Sequence, residues 1–497
     1  MSAWTRFPFI YEINTWVWLR ELSERCGQPT TLANVPATEL DRLAGDGFDA
    51  VWLMGVWERS PQSAQIARAH PDLQDEFHRA LPDLRPDDVV GSPYAVHRYV
   101  VDARLGGPAG LAAIRQALAA RGVKLILDFV PNHIAVDHPW TVEHPDWLIQ
   151  GAEEDLQRAP NAYFAVEADG KRFVYAHGRD PYFPAWTDTA QLNVANPALR
   201  QALVETLLNI ASQCDGVRCD MAMLTTNDIF NRTWGERGYA GDQPDFWAFV
   251  VPQIKAAHPE FLFVAEVYWD LEWTLQQQGF DYTYDKRLYD RLRQPDTRPV
   301  RDHLRADMAY QERLVRYFEN HDEPRAAAVF GAERSKSVAV LTLTLPGARL
   351  LHEGQFEGRT SKVPVQLGRR LAERAHDSLP HFYRRLMAEV TQPIYHEGEW
   401  ALMELFACWK ANTTYTNLTA HSWQHGDDYR LVVVNLMPTQ SQGMIHLPQL
   451  ELAGKRWVFH DVMNEVSYHR DGDELAVRGL YVDLPGYGFH LFHVRPA

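Results

Sequence analysis

The sequence predicts a (β/α)8 TIM barrel with an inserted loop domain after its third strand and a C-terminal antiparallel β-sandwich domain. Three observations predict it. Short, nearly all-apolar runs alternate with helix-period stretches about eight times before Val390, as buried parallel strands and their covering helices do. Residues 134–190 break that rhythm with Pro, Asp, His and aromatics. After Val390 the pattern becomes short alternating strands between turn clusters. The expected domains are therefore a barrel over 1–395, a subdomain inserted at 134–190, and an all-β domain over 396–497.

Phe9–Asn14 reads as the first strand and Ala37–Gly45 as a helix. Phe48–Val56 (FDAVWLMGV) is the second strand, and the polar residues 58–92 read as a long loop over its end. Pro108–Arg121 is amphipathic and stops at Gly122. Val123–Phe129 is the third strand. In the insertion, Tyr163–Val166 and Arg172–Tyr175 read as short strands. Pro197–Cys214 is helical and leads into Gly216–Ala222, whose period of two puts Arg218, Asp220 and Ala222 on one face. Phe261–Tyr268, Phe280–Asp285, Leu314–His321 and Ala348–Gly354 are the remaining barrel strands, with helices at Glu333–Leu345 and Leu379–Glu389. Beyond them, Tyr429–Leu436, Gly443–Leu447, Arg456–His460 and Gly488–Val494 read as strands of the β domain.

The totals narrow the function. At 497 residues, 46% hydrophobic and 23% charged, the chain has the composition of a soluble globular protein. A net charge of −16 argues against nucleic acid and anionic membrane as partners. The four cysteines form no CxxC pair, so no disulfide is expected. Met1–Phe9 lacks a leader pattern and no apolar run reaches membrane-spanning length, so a cytoplasmic location is expected. Sixteen Trp and 20 Tyr exceed what a core usually needs, and flat aromatic faces stack on apolar faces of ligands.

In such barrels chemistry sits at the C-terminal ends of the strands. There the chain places Asp128, Asn132 and His133 after strand three, Arg218 and Asp220 on strand four, Glu266 on strand five, and Glu319-Asn320-His321-Asp322-Glu323 after strand seven. Each has a bland reading: Arg218 and Asp220 can be a structural ion pair, Glu266 can pair with an Arg, Asp322 can cap a turn. Together they would leave idle charge at one rim, and unpaired buried charge is costly.

Asp128-Phe129-Val130-Pro131-Asn132-His133 resembles the first signature of the α-amylase superfamily, the glycoside hydrolase family 13 clan. Gly216-Val217-Arg218-Cys219-Asp220 resembles its second, Glu266 its third, and Phe318-Glu319-Asn320-His321-Asp322 its fourth. Gly91-Ser92-Pro93-Tyr94 and Gly354-Gln355-Phe356-Glu357-Gly358 resemble further family segments. The resemblance implies a retaining glycosidase acting on an α-glucan, maltooligosaccharide or small α-glucoside, with hydrolysis, glycosyl transfer and phosphorolysis all open. It implies Asp220 as nucleophile, Glu266 as acid/base and Asp322 as the third carboxylate. It also implies Arg218 as the partner that keeps Asp220 ionised, and Tyr94, His133 and His321 as substrate-binding residues. Retaining chemistry needs its two carboxyl groups roughly 5–5.5 Å apart, a spacing that adjacent strand ends can supply. Glu266, in an apolar run, is expected to resist ionisation.

The departures from the family pattern also matter. Met223-Leu224 stand where Lys-His often follows the nucleophile, so acceptor binding there is altered. Gln191 stands where many members carry an Asp that binds calcium, so no metal and no cofactor is expected. Gly55 stands where Pro is common, and Glu323-Pro324-Arg325 resembles members that act on oligosaccharide ends. The competing class is a non-catalytic carbohydrate-binding protein on the same fold. Trp400, Trp409 and Trp423 of the β domain are candidates for polymer binding, against the plain alternative that this domain covers apolar barrel surface.

Overall fold

A computed structural model describes residues 4–168, 170–239, 241 and 243–497. The start of the Met1–Phe9 stretch, and Asp169 in the expected insertion, lie outside the described residues. The eight barrel strands are Phe9–Asn14, Ala50–Met54, Lys124–Phe129, Gly216–Cys219, Leu262–Ala265, Tyr282–Tyr284, Leu314–Arg316 and Ala348–His352. They form a closed barrel in which each strand lies beside its sequence neighbours and the eighth beside the first. The expected strands are all present, but several are shorter than their apolar runs. Strand five stops at Ala265, one residue before Glu266, and strand seven stops at Arg316.

The chain forms two compact units. One comprises residues 11–284 with 362–372, the other 4–10, 285–361 and 373–497. In the first unit, residues 58–92 are not a plain loop. They hold two helices, Pro61–Ala69 and Pro71–Ala80, each with Pro at its start, where the missing N–H is harmless. Ser60 caps the first by accepting from Ser63 N. These helices escape a sequence reading because their composition is polar, yet Phe77 and Ala67 bury against Leu81, Val89 and Leu367. Between strands three and four, the two short strands expected there run over Tyr163–Ala168 and Lys171–Ala176 and pair antiparallel, and a small pair joins His133–Ala135 to Thr189–Gln191.

In the second unit, the helix expected at 333–345 is Ala326–Leu343, kinked at Gly331. The β domain has a six-stranded sheet and a three-stranded sheet with a shared apolar core. Trp423 does not face solvent. Its ring is fully buried beside Phe7 and Tyr395, and its Nε1 donates to the Thr344 carbonyl at 2.6 Å. Trp400 is partly buried against the same cluster. Of the three tryptophans considered for polymer binding, Trp409 alone is open, at 52% exposure. Cys214 and Cys219 are buried free thiols, which packs them as small hydrophobes. No helix among the described residues is long and apolar enough to cross a membrane.

Candidate active site

The helix Pro197–Gln213 starts cleanly because Asn196 accepts from Ala198 N and Leu199 N and Pro197 occupies its first position. It delivers the chain into strand four. There Arg218 lies level with Asp128 on strand three and Val264 on strand five, and Cys219 lies level with Phe129 and Ala265. Asp220 and Glu266 are thus the next residues on adjacent parallel strands. The ladder continues past the strand ends: Asp220 N donates to the Phe129 carbonyl at 2.8 Å, and Glu266 N to the Cys219 carbonyl at 3.1 Å.

The alternation expected through Ala222 ends earlier. Met221 sits in the left-handed region at φ 42°, which is costly for a side chain with a Cβ. The turn is held by two bonds to one partner: Met221 N donates to Glu266 Oε2 at 2.6 Å, and Ala222 N to the Glu266 carbonyl at 3.0 Å.

Arg218 is 1% exposed and faces both carboxylates. Its Nη1 lies 2.7 Å from Asp220 Oδ1 and its Nη2 2.8 Å from Glu266 Oε2. Nη1 is also 4.0 Å from Asp128 Oδ1. The rings of Trp52, Tyr94 and Tyr284 surround the guanidinium at 5.3, 5.0 and 5.8 Å. Burial works against this charge, but Glu266 above all, and then Tyr94, Tyr284 and Asp220, raise its pKa well beyond the ordinary value. Glu266 is buried as expected, but its surroundings are not simply apolar. Besides Met221 N and Arg218, its Oε1 accepts from Tyr268 Oη at 2.7 Å.

Asp128 supports the site from below. It accepts from Trp52 Nε1 at 3.1 Å and from Gly55 N at 3.0 Å. Gly55 has φ 77°, and a Cβ there would stand 2.8 Å from Arg59 Nη2 and 2.9 Å from Pro93. Glycine is the residue that fits this close approach.

His133 is buried, 5.0 Å from Trp186, and burial pushes its imidazole down to about 3 despite a hydrogen bond with the Tyr94 backbone. It is a neutral ring at working pH. Tyr94 is half-buried, with its N–H donated to Ser92 Oγ at 3.1 Å. His321 and Asp322 belong to the second unit. There His321 is buried with its Nε2 3.0 Å from Asp322 Oδ2, while the Asp322 side chain is 42% exposed. Asn320 Oδ1 accepts from Asp322 N and Glu323 N, fixing the loop after strand seven. Glu319 pairs with Arg325 at 2.6 Å and Glu323 with Lys286 at 2.9 Å, so both have structural partners.

Trp52, Tyr268 and Tyr284 join the site without having been singled out for it. Their signal was present but faint: each is an aromatic within or just beyond a barrel strand. Across the first unit, the exposed Tyr182 meets Trp269 edge to face at 4.9 Å, and Arg232 Nη1 donates to Tyr182 Oη at 3.1 Å.

The residues at the expected calcium position do not fit a cation. Gln191 Nε2 donates to Asn132 O, Asn132 Oδ1 and Leu192 O at 2.9, 3.0 and 3.0 Å. The amide orientation follows from its other end, since Gln191 Oε1 accepts from the Arg179 backbone N–H and from Asn132 Nδ2. An amide nitrogen therefore stands among the oxygens that would otherwise face a metal. No group of three or more His, Cys, Asp or Glu suited to a metal occurs among the described residues.

The family model for the α-amylase catalytic domain matches residues 37–385, most of the chain. The chain belongs to the α-amylase family. This family member is 25% identical over 370 residues to an α-amylase of Haloarcula japonica, covering 72% of this chain and 45% of that protein. It is 23% identical over 500 residues to an α-1,4-glucan:maltose-1-phosphate maltosyltransferase of Salinibacter ruber, covering 93% and 65%. The chain thus spans about half to two thirds of the length of these curated relatives. Among solved structures, a maltogenic α-amylase of Thermotoga neapolitana superposes with a TM-score of 0.69 at 18% identity, covering 99% of each chain. Met223 and Leu224, which stand where Lys-His often follows in the family, are both buried.

Proposed function

We propose that this chain is a retaining α-glucoside-active enzyme with Asp220 as nucleophile and Glu266 as acid/base. The observation that carries the reading is the single guanidinium of Arg218 set between two carboxylates on adjacent strand ends. A positive charge 2.7 Å away keeps Asp220 ionised, ready to attack the anomeric carbon and form a glycosyl ester. Glu266 protonates the departing oxygen, then takes the proton from the incoming water or sugar hydroxyl. Its neighbour Tyr268 orients one oxygen, and Met221 N holds the other. Asp322 and His321 are assigned to substrate hydroxyls by their motif positions after strand seven. His133, as a neutral imidazole, and the ring of Tyr94 are likewise assigned to substrate by their motif positions, one by hydrogen bonding and one by stacking. No metal takes part, in keeping with the Gln191 amide at the calcium position.

The substrate class is α-glucan, maltooligosaccharide or small α-glucoside, a reading supported by relatives named as an α-amylase and an α-1,4-glucan maltosyltransferase. The exposed ring of Tyr182, edge to face with half-buried Trp269, favours a second outcome beside hydrolysis, since it offers a platform on which an acceptor sugar can compete with water. Replacing Asp220 with Asn tests the mechanism. Hydrolytic and transfer activities on maltose, maltotriose, trehalose, sucrose, isomaltose and soluble starch, with and without phosphate, should all fall by at least about 10³-fold. Unchanged turnover of any of these would sink the assignment. Tight maltooligosaccharide binding without turnover by the unaltered protein would favour a binding protein instead.

A further inference from the structure

The three-stranded sheet of the β domain consists of Leu405–Phe406, Ser441–Ile445 and Leu480–Leu484. Its register sorts the side chains into rows. Leu405, Ile445 and Leu480 form one cross-strand row, and all three are buried. Phe406, Met444 and Tyr481 form the next row, which alternation turns to the opposite face. Phe406 is 45% exposed and Tyr481 46%, and Trp409 lies just beyond the first strand. A solvent-facing sheet surface is ordinarily polar, so a row of Phe406, Met444 and Tyr481 there marks an interaction surface.

A cleft of about 700 Å³ is lined by Trp409, Met444 and Tyr481 together with Arg470, Asp471, Glu474 and Arg478. Two cations and two anions make the lining neutral, although the chain carries −16 overall. That balance suits neither a polyanion nor a strongly charged peptide. Aromatic plates flanked by both donors and acceptors suit a neutral, polyhydroxylated chain: rings cover its apolar faces while the charged groups bond its hydroxyls. The Arg478–Glu474 pair is held at 3.4 Å by side chains 73% and 61% exposed, so it yields readily to a competing hydroxyl. The volume lies in the range of roughly 300–1,000 Å³ that holds a small ligand or a short segment of a polymer.

We propose that this cleft is a second, non-catalytic binding site for α-glucan chains, with Trp409 and Tyr481 as its stacking platforms. The ligand class rests on the function proposed above; the aromatic row and the neutral cleft stand independently of it. Such a site holds polymer on the enzyme between catalytic events and leaves turnover of short substrates untouched.

The test uses the full chain with Trp409→Ala, Tyr481→Ala and the double substitution, their folding checked by circular dichroism. Migration in native gels containing glycogen or soluble starch reports polymer affinity, and an aryl α-maltoside reports turnover. Polymer retardation should weaken by about tenfold in the double variant while aryl α-maltoside turnover stays within about twofold. Glu474→Ala, an exposed change that leaves both rings in place, should weaken retardation less but detectably. Retardation that is unchanged in the double variant overturns the proposal. So does a shift from dimer to monomer in sedimentation with polymer binding intact, which would make the patch a self-association surface. If the unaltered protein turns over no α-glucoside yet is retarded through Trp409, the catalytic reading fails and this one stands.

Discussion

Arg218 Nη2 lies 2.8 Å from Glu266 Oε2, so the arginine expected as the partner of Asp220 also forms an ion pair with the second carboxylate. One planar fork addresses two acids on neighbouring strands, a geometry that a lysine's single ammonium cannot reproduce. Arg218→Lys should keep the fold and lower kcat by on the order of 10²- to 10³-fold. Steady-state kinetics with circular dichroism as a folding control decide it. A variant within tenfold of the parent would mean that the fork geometry is unimportant.

Glu266→Gln should separate the two halves of the reaction. Removing a general acid costs on the order of 10²- to 10⁴-fold with sugar leaving groups. An aryl glucoside with an acidic phenol needs little protonation, so its first step should survive and azide should accelerate the second. Equal losses for both substrates, with no effect of azide, would assign Glu266 to structure through its bonds to Met221 N and Tyr268.

Chelators should leave the protein unchanged. With Gln191 Nε2 donating to three carbonyl oxygens, a melting curve in excess EDTA should overlay the untreated one. Gln191→Ala should instead lower stability by about 1–3 kcal/mol, because the buried carbonyls lose their donor. Loss of activity on chelation, restored by calcium, would refute the amide's role.

Acid should destabilise the fold through its buried imidazoles. Burial holds His133, His138 and His421 down to about 3, against an unfolded value near 6.5. Between those limits the unfolded chain binds protons that the native chain does not, so stability rises with pH from about 3 to 6.5 and levels off above. Each imidazole contributes up to about 1.4 kcal/mol per pH unit in that window. His421→Gln, which can still meet Thr344 Oγ1, should shallow the slope of melting temperature against pH. An unaltered slope would show that His421 protonates in the native state.

The β domain should prove structural where Trp423 sits. Its ring is fully buried among Phe7 and Tyr395 and its Nε1 is bonded to the Thr344 carbonyl. Trp423→Ala should cost about 3–5 kcal/mol, and deleting residues 400–497 should yield insoluble protein. Soluble, active protein after deletion would show that this contact is dispensable.

Much of this was legible from residue order alone. Apolar runs named the eight strands, because a parallel strand covered on both faces must be apolar throughout. The motifs around His133, Asp220, Glu266 and Asp322 carried the family resemblance, and the family model does match residues 37–385. The helices at Pro61–Ala69 and Pro71–Ala80 escaped, their polar composition concealing contacts with Leu367, far along the chain. Tertiary structure alone decided the rest. Arg218 serves two acids because strand five lies in parallel register beside strand four; Trp52 and Tyr284 close on it from strands two and six; and Met221 turns left-handed to meet Glu266. The physical reason is range: periodicity and propensity act within a few residues, whereas a buried charge is satisfied by whatever the barrel brings to it from elsewhere in the chain.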